Sequence, residues 1–305
     1  MAFDVSALAD HIVEVSNDIY SEMYFGKASM NYFTPFVGIK GTQKLNYFEN
    51  EIAPILYTCG WSGTTTTSFS QRSITVEAMK NEAAYCIEDL AKKWQGQLMK
   101  KGVAQESFPF EDFIVSDISK QLARVNENIV WKGDSDSVTG TYLDLVDGIF
   151  KHISDAAGTV VSGLTSSGVT TTVTNVDDKI DEVIDALPTA IKDKEIVIFT
   201  SLGNVMLYVR HLYKSNLFHY KEENTNWEVV VPYLPNVKIV GVEAFGSLDR
   251  MVATVDGNFI LGVDLLGEEQ LLDAWYERKD DQLMMRSKWR IGSQIIFPEY
   301  VVYMQ

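Results

Sequence analysis

The chain has 305 residues, 46% hydrophobic and 22% charged, which excludes a disordered, collagen-like or coiled-coil polypeptide and suits one large domain or two interleaved ones. Its 42 Asp and Glu against 26 Lys and Arg leave a formal charge of −16, which argues against tight nucleic-acid readout or attachment to an anionic membrane. Residues 1 to 20 lack the unbroken apolar core of a secretory signal, and no apolar run approaches the roughly 18 residues of a membrane span. The reading is a soluble protein. Cys59 and Cys86 are too few for a disulfide framework, so we expect two buried thiols in a protein made in a reducing cytosol.

Val5, Leu8, Ile12, Val15 and Ile19 recur at helical spacing and predict a leading amphipathic helix over residues 5 to 25. GKASMNYFTPFVGIKG follows without a period and reads as an extended arm in search of a partner. Residues 44 to 76 read as two extended segments joined by the Thr-rich SGTTTTS, a long hairpin whose weak alternation keeps it off the main core. Val76, Met79, Ala83, Ile87, Leu90, Trp94 and Leu98 predict a helix from about 78 to 100, ended near Gly102. Phe110, Phe113, Ile114, Ile118, Leu122, Val125 and Ile129 predict a second helix that runs to Trp131 and closes at Gly133, a rod of about 35 Å.

Residues 134 to 176 combine the apolar patch YLDLVDGIFKHI with a Gly, Ser and Thr stretch that reads as a surface loop or edge hairpin. Beyond it, a helix carrying Ile180, Val183, Ile184 and Leu187 leads to the buried-strand run EIVIFTS. A helix from Asn204 to about Lys214 follows, then the strands EVVVPYL, VKIVGVEAF and RMVATV. Asp256-Gly257 predicts a hairpin between RMVATV and FILGVDL. In QLMMRSKWRIG, Leu283, Met285, Trp289 and Ile291 alternate with Arg286, Lys288 and Arg290 at period two, and SQIIFPEYVVYM closes the chain as a strand that Pro298 would place at an edge or bulge.

No catalytic, cofactor-binding or metal-binding residue emerges. His11, His152, His211 and His219 lie on unrelated segments without the i, i+4 and Glu pattern of a metal-binding helix, and GxSxG, P-loop and GxGxxG are absent. Asp134 and Asp136 in KGDSDS approach the start of a calcium loop, but Val138 and Leu145 stand where ligands belong, so they read as turn residues. Asp177, Asp178, Asp181, Glu182 and Asp185 could supply an acid and base pair, yet they occupy the start and outer face of a helix, where negative charge suits the macrodipole. Arg286, Lys288 and Arg290 read as a solvated face in preference to a binding face for DNA or a neighbouring subunit. What remains is architectural: an arm, a long hairpin and a long helix beside a compact α/β unit, parts built for neighbours.

In that order the segments resemble the major capsid proteins of tailed double-stranded DNA bacteriophages, the Hong Kong 97-type fold. FEDFIVSDISKQLARVNENIVWKGD resembles the family's spine helix, with Glu127, Ile129, Val130 and Gly133 at its end. YLDLVDGIFKHI is similar to the segment that enters the axial domain, and IDEVIDALPTAIKDKEIVIFTSLGNVMLYVRHL to its helix, strand and helix. LPNVKIVGVEAF with MVATVDGNFILGVDL resembles the strands that leave that domain, and IIFPEYVVYM the closing peripheral strand.

The resemblance implies an α+β fold divided into an N-terminal arm (1–39), an extended hairpin loop (40–76), a peripheral domain with the spine helix (77–136), an axial domain (137–262) and peripheral return strands (263–305). It implies a structural protein without cofactors that assembles with itself as hexamers and pentamers into an icosahedral shell, in a virion made in the bacterial host cytoplasm. Its implied partners are a separate scaffolding protein, a portal, decoration proteins and packaged double-stranded DNA held without sequence-specific contacts; no membrane is involved. Phe33, Phe36, Tyr47, Phe48 and Trp61 would be buried mainly against adjacent subunits. An encapsulin-like nanocompartment is the alternative within this fold, and a soluble enzyme with acidic catalytic residues the alternative outside it. Cross-linking members join a hairpin Lys to an Asn on a late peripheral strand; Lys44 fits the donor, but Asn258 is the last asparagine, leaving Gln282, Gln294 and Gln305 as the late amides.

Overall fold

The computed structural model describes residues 16–51, 56–57, 59–60, 66–86, 92–93, 110–215, 227–264, 272–277, 279 and 282–305. In chain order these form α1 (Ser16–Phe25), a 3-10 turn (Ala28–Tyr32), β1 (Thr34–Val37), β2 (Thr42–Glu51), β3 (Thr66–Thr75), β4 (Glu77–Cys86) and the long α2 (Phe110–Lys132). Then come α3 (Ile149–Asp155), α4 (Val176–Asp185), β5 (Ile196–Ser201), α5 (Leu202–Lys214), β6 (Glu228–Val231), β7 (Leu234–Val242), β8 (Met251–Val255), β9 (Phe259–Val263), β10 (Leu272–Glu277), β11 (Gln282–Ile295) and β12 (Val302–Met304). The fold is α+β, as the sequence implied.

Two five-stranded sheets carry the molecule. The first has the order β1-β9-β11-β10, with β4 also on β11; the second has the order β12-β8-β5-β7-β6. The 14-residue β11 organises the first sheet: its leading half pairs with β4 on one side and β10 on the other, and its last residues pair with β9. The period-two stripe explains this, because Leu283, Met285, Trp289 and Ile291 are all buried on one face.

In the second sheet β5 is buried along its whole length. Its alternate residues serve two cores: Val197 and Phe199 face the one built on α2, while Ile196 and Ile198 face the one built on α4 and α5. The first core centres on Trp131, which meets Phe245 at 4.9 Å, Phe199 at 5.0 Å and Phe33 at 5.7 Å between ring centroids. Edge-to-face and tilted contacts of this kind add to the roughly 1.5–3 kcal/mol that burial of each large side chain contributes.

Several expectations are corrected. Residues 77 to 86 form a strand, not the start of a helix. Met79 and Ala83 lie four apart, a spacing shared by one helical turn and two strand repeats, and opposite Trp289 and Met285 the ladder with β11 decides between them. Residues 92 and 93 are helical; Ile87, Leu90, Trp94 and Leu98 lie outside the described residues.

Asp256-Gly257 is not a hairpin turn. The strands on either side belong to different sheets, so the turn is a corner, with Gly257 at φ 77 supplying the left-handed backbone that it needs. The closing segment is likewise divided: Ser293 to Ile295 finish β11, Pro298 sits in a 3-10 turn, and β12 becomes an edge of the second sheet by pairing with β8. Proline at that turn removes no ladder hydrogen bond.

The N-terminal segment is not an unsatisfied arm. Met23, Tyr24, Met30 and Phe33 are buried in the first core, and β1 pairs in parallel with β9, so Phe33 belongs inside its own subunit. Residues 1 to 15, and with them His11, lie outside the described residues. Cys59 and Cys86 are exposed, not buried; Cys86 is the last residue of β4, a strand whose Met79 enters the first core while the Cys86 side chain stays outside it.

Candidate functional site

The hairpin β2–β3 is the element that stands apart. It is a two-stranded sheet joined to neither of the others, paired in unbroken register from Thr42 opposite Thr75 to Glu51 opposite Thr66. Ten residues per strand give a ladder of about 33 Å. Polar pairs brace the half nearer its base: the Thr42 and Thr75 hydroxyls lie 3.1 Å apart, Gln71 Nε2 donates to Asn46 Oδ1 at 2.7 Å, and Arg72 Nε donates to Tyr47 Oη at 3.2 Å.

Its base is seated on the first sheet. Ile39, Ile74, Val76 and Ile260 form a small separate core there, Gln294 Nε2 donates to Ser73 O at 2.7 Å, and the Tyr47 ring meets Phe297 at 5.1 Å. The paired Gly262 and Gly292 make the seat. A Cβ at Gly292 would stand 2.1 Å from Thr75 O, and one at Gly262 would stand 2.7 Å from the Val76 side chain, so only glycines let the hairpin cross so closely. Phe36 packs at the edge of this small core; Trp61 lies outside the described residues.

A buried polar node fastens the N-terminal segment to α2. Glu127 is 2% exposed, accepts from Ser29 Oγ at 2.5 Å and from Ala244 N at 3.1 Å, and its carboxyl is pushed above the usual range by burial, against the pull of Ser29 and Lys27. Glu243 joins Lys27 at 2.5 Å and Arg124 at 2.8 Å; the hydrogen bond from Lys27 holds its carboxyl below the usual range. Beside it, Asn126 Nδ2 donates to Met23 O at 3.2 Å while its Oδ1 accepts from Trp289 Nε1 at 2.8 Å. Apart from the helix-end position of Glu127, no local pattern signals this node, because Asn126 sits beside an apolar stripe and its partners are more than a hundred residues away in sequence.

The groups singled out for chemistry are dispersed into structural roles. Asp177 faces His211 at 3.8 Å, and burial together with Asp181 pushes its carboxyl up. Asp181 accepts from Tyr233 Oη, Glu182 accepts from Ser166 N at 3.0 Å, and Asp178 stands in the first turn of α4. The Asp185 carbonyl accepts from Lys192 Nζ at 3.0 Å.

His211 Nδ1 lies 2.8 Å from Val173 O, and His152 Nε2 lies 2.8 Å from Ser293 O with burial lowering its basicity; His219 is outside the described residues. Asp134 and Asp136 flank Lys151 at 3.6 and 2.5 Å in a turn. The basic stripe is largely paired: Arg286 meets Asp273 at 3.0 Å and Arg290 meets Asp264 at 3.4 Å, leaving Lys288 exposed. Among the described residues no cluster of His, Cys, Asp or Glu could hold a metal ion, and no helix is long and apolar enough to cross a membrane.

No protein-family model and no curated protein matches the chain. Solved structures do. The satellite phage P4 procapsid, solved with its size determination (Sid) protein, superposes with a TM-score of 0.58 at 12% identity, covering 95% of this chain and 90% of its own. The capsid of Myoviridae phage XM1 gives 0.54 at 12%, covering 91% and 90%. A virus-like particle from Pyrococcus furiosus gives 0.51 at 10%, covering 94% and 96%. At such identities the likeness is one of fold: this chain has the fold of the phage capsid proteins, over nearly its whole length.

Proposed function

We propose that this chain is the major capsid protein of a tailed double-stranded DNA phage, a structural subunit that assembles as hexamers and pentamers into an icosahedral shell. The observation that carries the reading is the extent of the fold match: the superposition with a phage procapsid covers 95% of this chain and 90% of that one. A fold shared over one domain alone would say little about function. A long ladder whose base is seated on the first sheet gains stability when a second copy covers it, and heterologous contacts between identical copies close into rings.

In this reading residues 1–39 are the arm, 40–76 the extended loop, 77–136 and 263–305 the peripheral domain, and 137–262 the axial domain, with β12 returning to the axial sheet. The subunit is made in the host cytoplasm, resides in the virion, and works with a scaffolding protein, a portal and decoration proteins around DNA that it does not read. It catalyses no reaction.

Negative-stain microscopy and native sizing of the full chain, with scaffold supplied, test the proposal. Closed shells with DNA inside particles from infected cells are expected. A monomer at high concentration in both conditions would overturn it, and particles filled with one protein cargo instead of DNA would move the assignment to a nanocompartment.

A further inference from the structure

We propose that the cleft beside Arg250 binds a phosphate-type oxyanion. The cleft has a volume of about 420 Å³ and lies between α3, the loop that follows it and the last residues of the chain. Arg250 Cζ stands 4.9 Å from the centre of the Phe150 ring, and its guanidinium makes no hydrogen bond among the described residues, which leaves its N–H fork for an anion.

No Asp or Glu is among the described residues that line the cleft, and the O atom of Gln305 there accepts from Ser167 Oγ at 2.8 Å. In a chain of net charge −16, Arg250 forms no ion pair among the described residues, and neither does Lys132 at the end of α2. Burial and the Arg250 charge together hold the Lys132 ammonium below its usual range, against the pull of Glu127. Ser154 and Ser162 line the same cleft with hydroxyls that bond nothing among the described residues.

A planar fork and two hydroxyl donors face the cleft from different elements. A tetrahedral oxyanion presents acceptor oxygens to all of them, whereas a flat carboxylate serves the fork alone. Free phosphate and the phosphodiester of a nucleic-acid backbone share this chemistry. The inference concerns the soluble subunit and does not depend on shell formation.

Calorimetric titration of the full-length chain tests it, with sodium phosphate, sodium acetate and a short DNA duplex as separate titrants at ionic strength matched with sodium chloride. Saturable phosphate binding is expected, weakened about ten- to a hundredfold in Arg250→Gln with unchanged circular dichroism. Duplex binding with the same dependence on Arg250 assigns the site to a nucleic-acid backbone; phosphate binding alone assigns it to the free ion. Either supports the proposal. No heat beyond the chloride control, equal binding by the variant, or acetate binding tighter than phosphate overturns it, the last in favour of an acidic protein partner. If Arg250→Gln fails to fold, the double variant Ser154→Ala, Ser162→Ala is titrated instead, and undiminished phosphate binding by it counts against the site.

Discussion

The stretch that follows the leading helix, GKASMNYFTPFVGIKG, and the β2–β3 hairpin look alike as sequence: both are irregular, aromatic and without a strong period. In the folded chain they have opposite fates. Met23, Tyr24, Met30 and Phe33 enter the first core, and the segment is held by Asn126, Glu127 and a parallel pairing of β1 with β9. The hairpin keeps its own two-stranded sheet and touches the rest at its base. Aromatic content therefore does not identify a surface made for neighbours; whether the backbone is paired into a shared sheet does.

The largest effect should come from the buried side. Phe33→Ala removes a ring packed on Trp131, Phe199 and Phe259, and should cost about 3–5 kcal/mol of subunit stability in denaturant unfolding. A loss well under 1 kcal/mol would return Phe33 to an interface between subunits.

Tyr47→Ala, in the hairpin, should do the reverse: about 1 kcal/mol or less in the subunit, with shell yield sharply reduced by sedimentation. If the two variants behave alike, the contrast between the regions fails.

A smaller effect is expected from acid. His152, bonded to Ser293 O where α3 meets β11, has its basicity lowered below the ordinary 6.5 by burial, so the unfolded chain takes up its proton first. Its contribution is complete above the unfolded value and is lost as pH falls below it. The unfolding midpoint should therefore drop between about pH 7 and about pH 5.5, and His152→Gln should flatten that drop. Glu127 works in the other direction, since a carboxyl raised by burial favours the folded state more as pH falls; a wild-type midpoint that rises over the same window would make Glu127 the dominant group.

The smallest expected effect is none at all. Shells boiled in detergent should run as a single band near 34.3 kDa, without a covalent ladder. Asn258, the last asparagine, is buried with its amide committed to Thr254 Oγ1 and Phe297 O, and Gln294 is committed to Ser73 O, so neither is presented to an approaching Lys44. A ladder resistant to reductant would mean that the hairpin meets a late amide of its neighbour, with Gln282 as the first candidate.

Elements whose pattern has one physical solution were legible from residue order alone. The seven-residue apolar stripe of α2 and the alternation in β11 each match a single period, the short β-branched run of β5 suits a buried strand, and each formed as expected. Residue order also determined that Asp177, Asp178 and Asp181 are helix-face charges and that the hairpin lies apart from the main core. Tertiary structure alone decided where a spacing or turn admits two answers. Met79 and Ala83 fit a helix or a strand until β11 lies alongside; Asp256-Gly257 fits a hairpin or a corner until the sheets have partners; Asn126 fits a surface until Trp289 and Met23 arrive. Local periodicity records which face of an element is apolar, whereas the choice of what covers that face is a contest among distant segments, settled by the burial each pairing achieves.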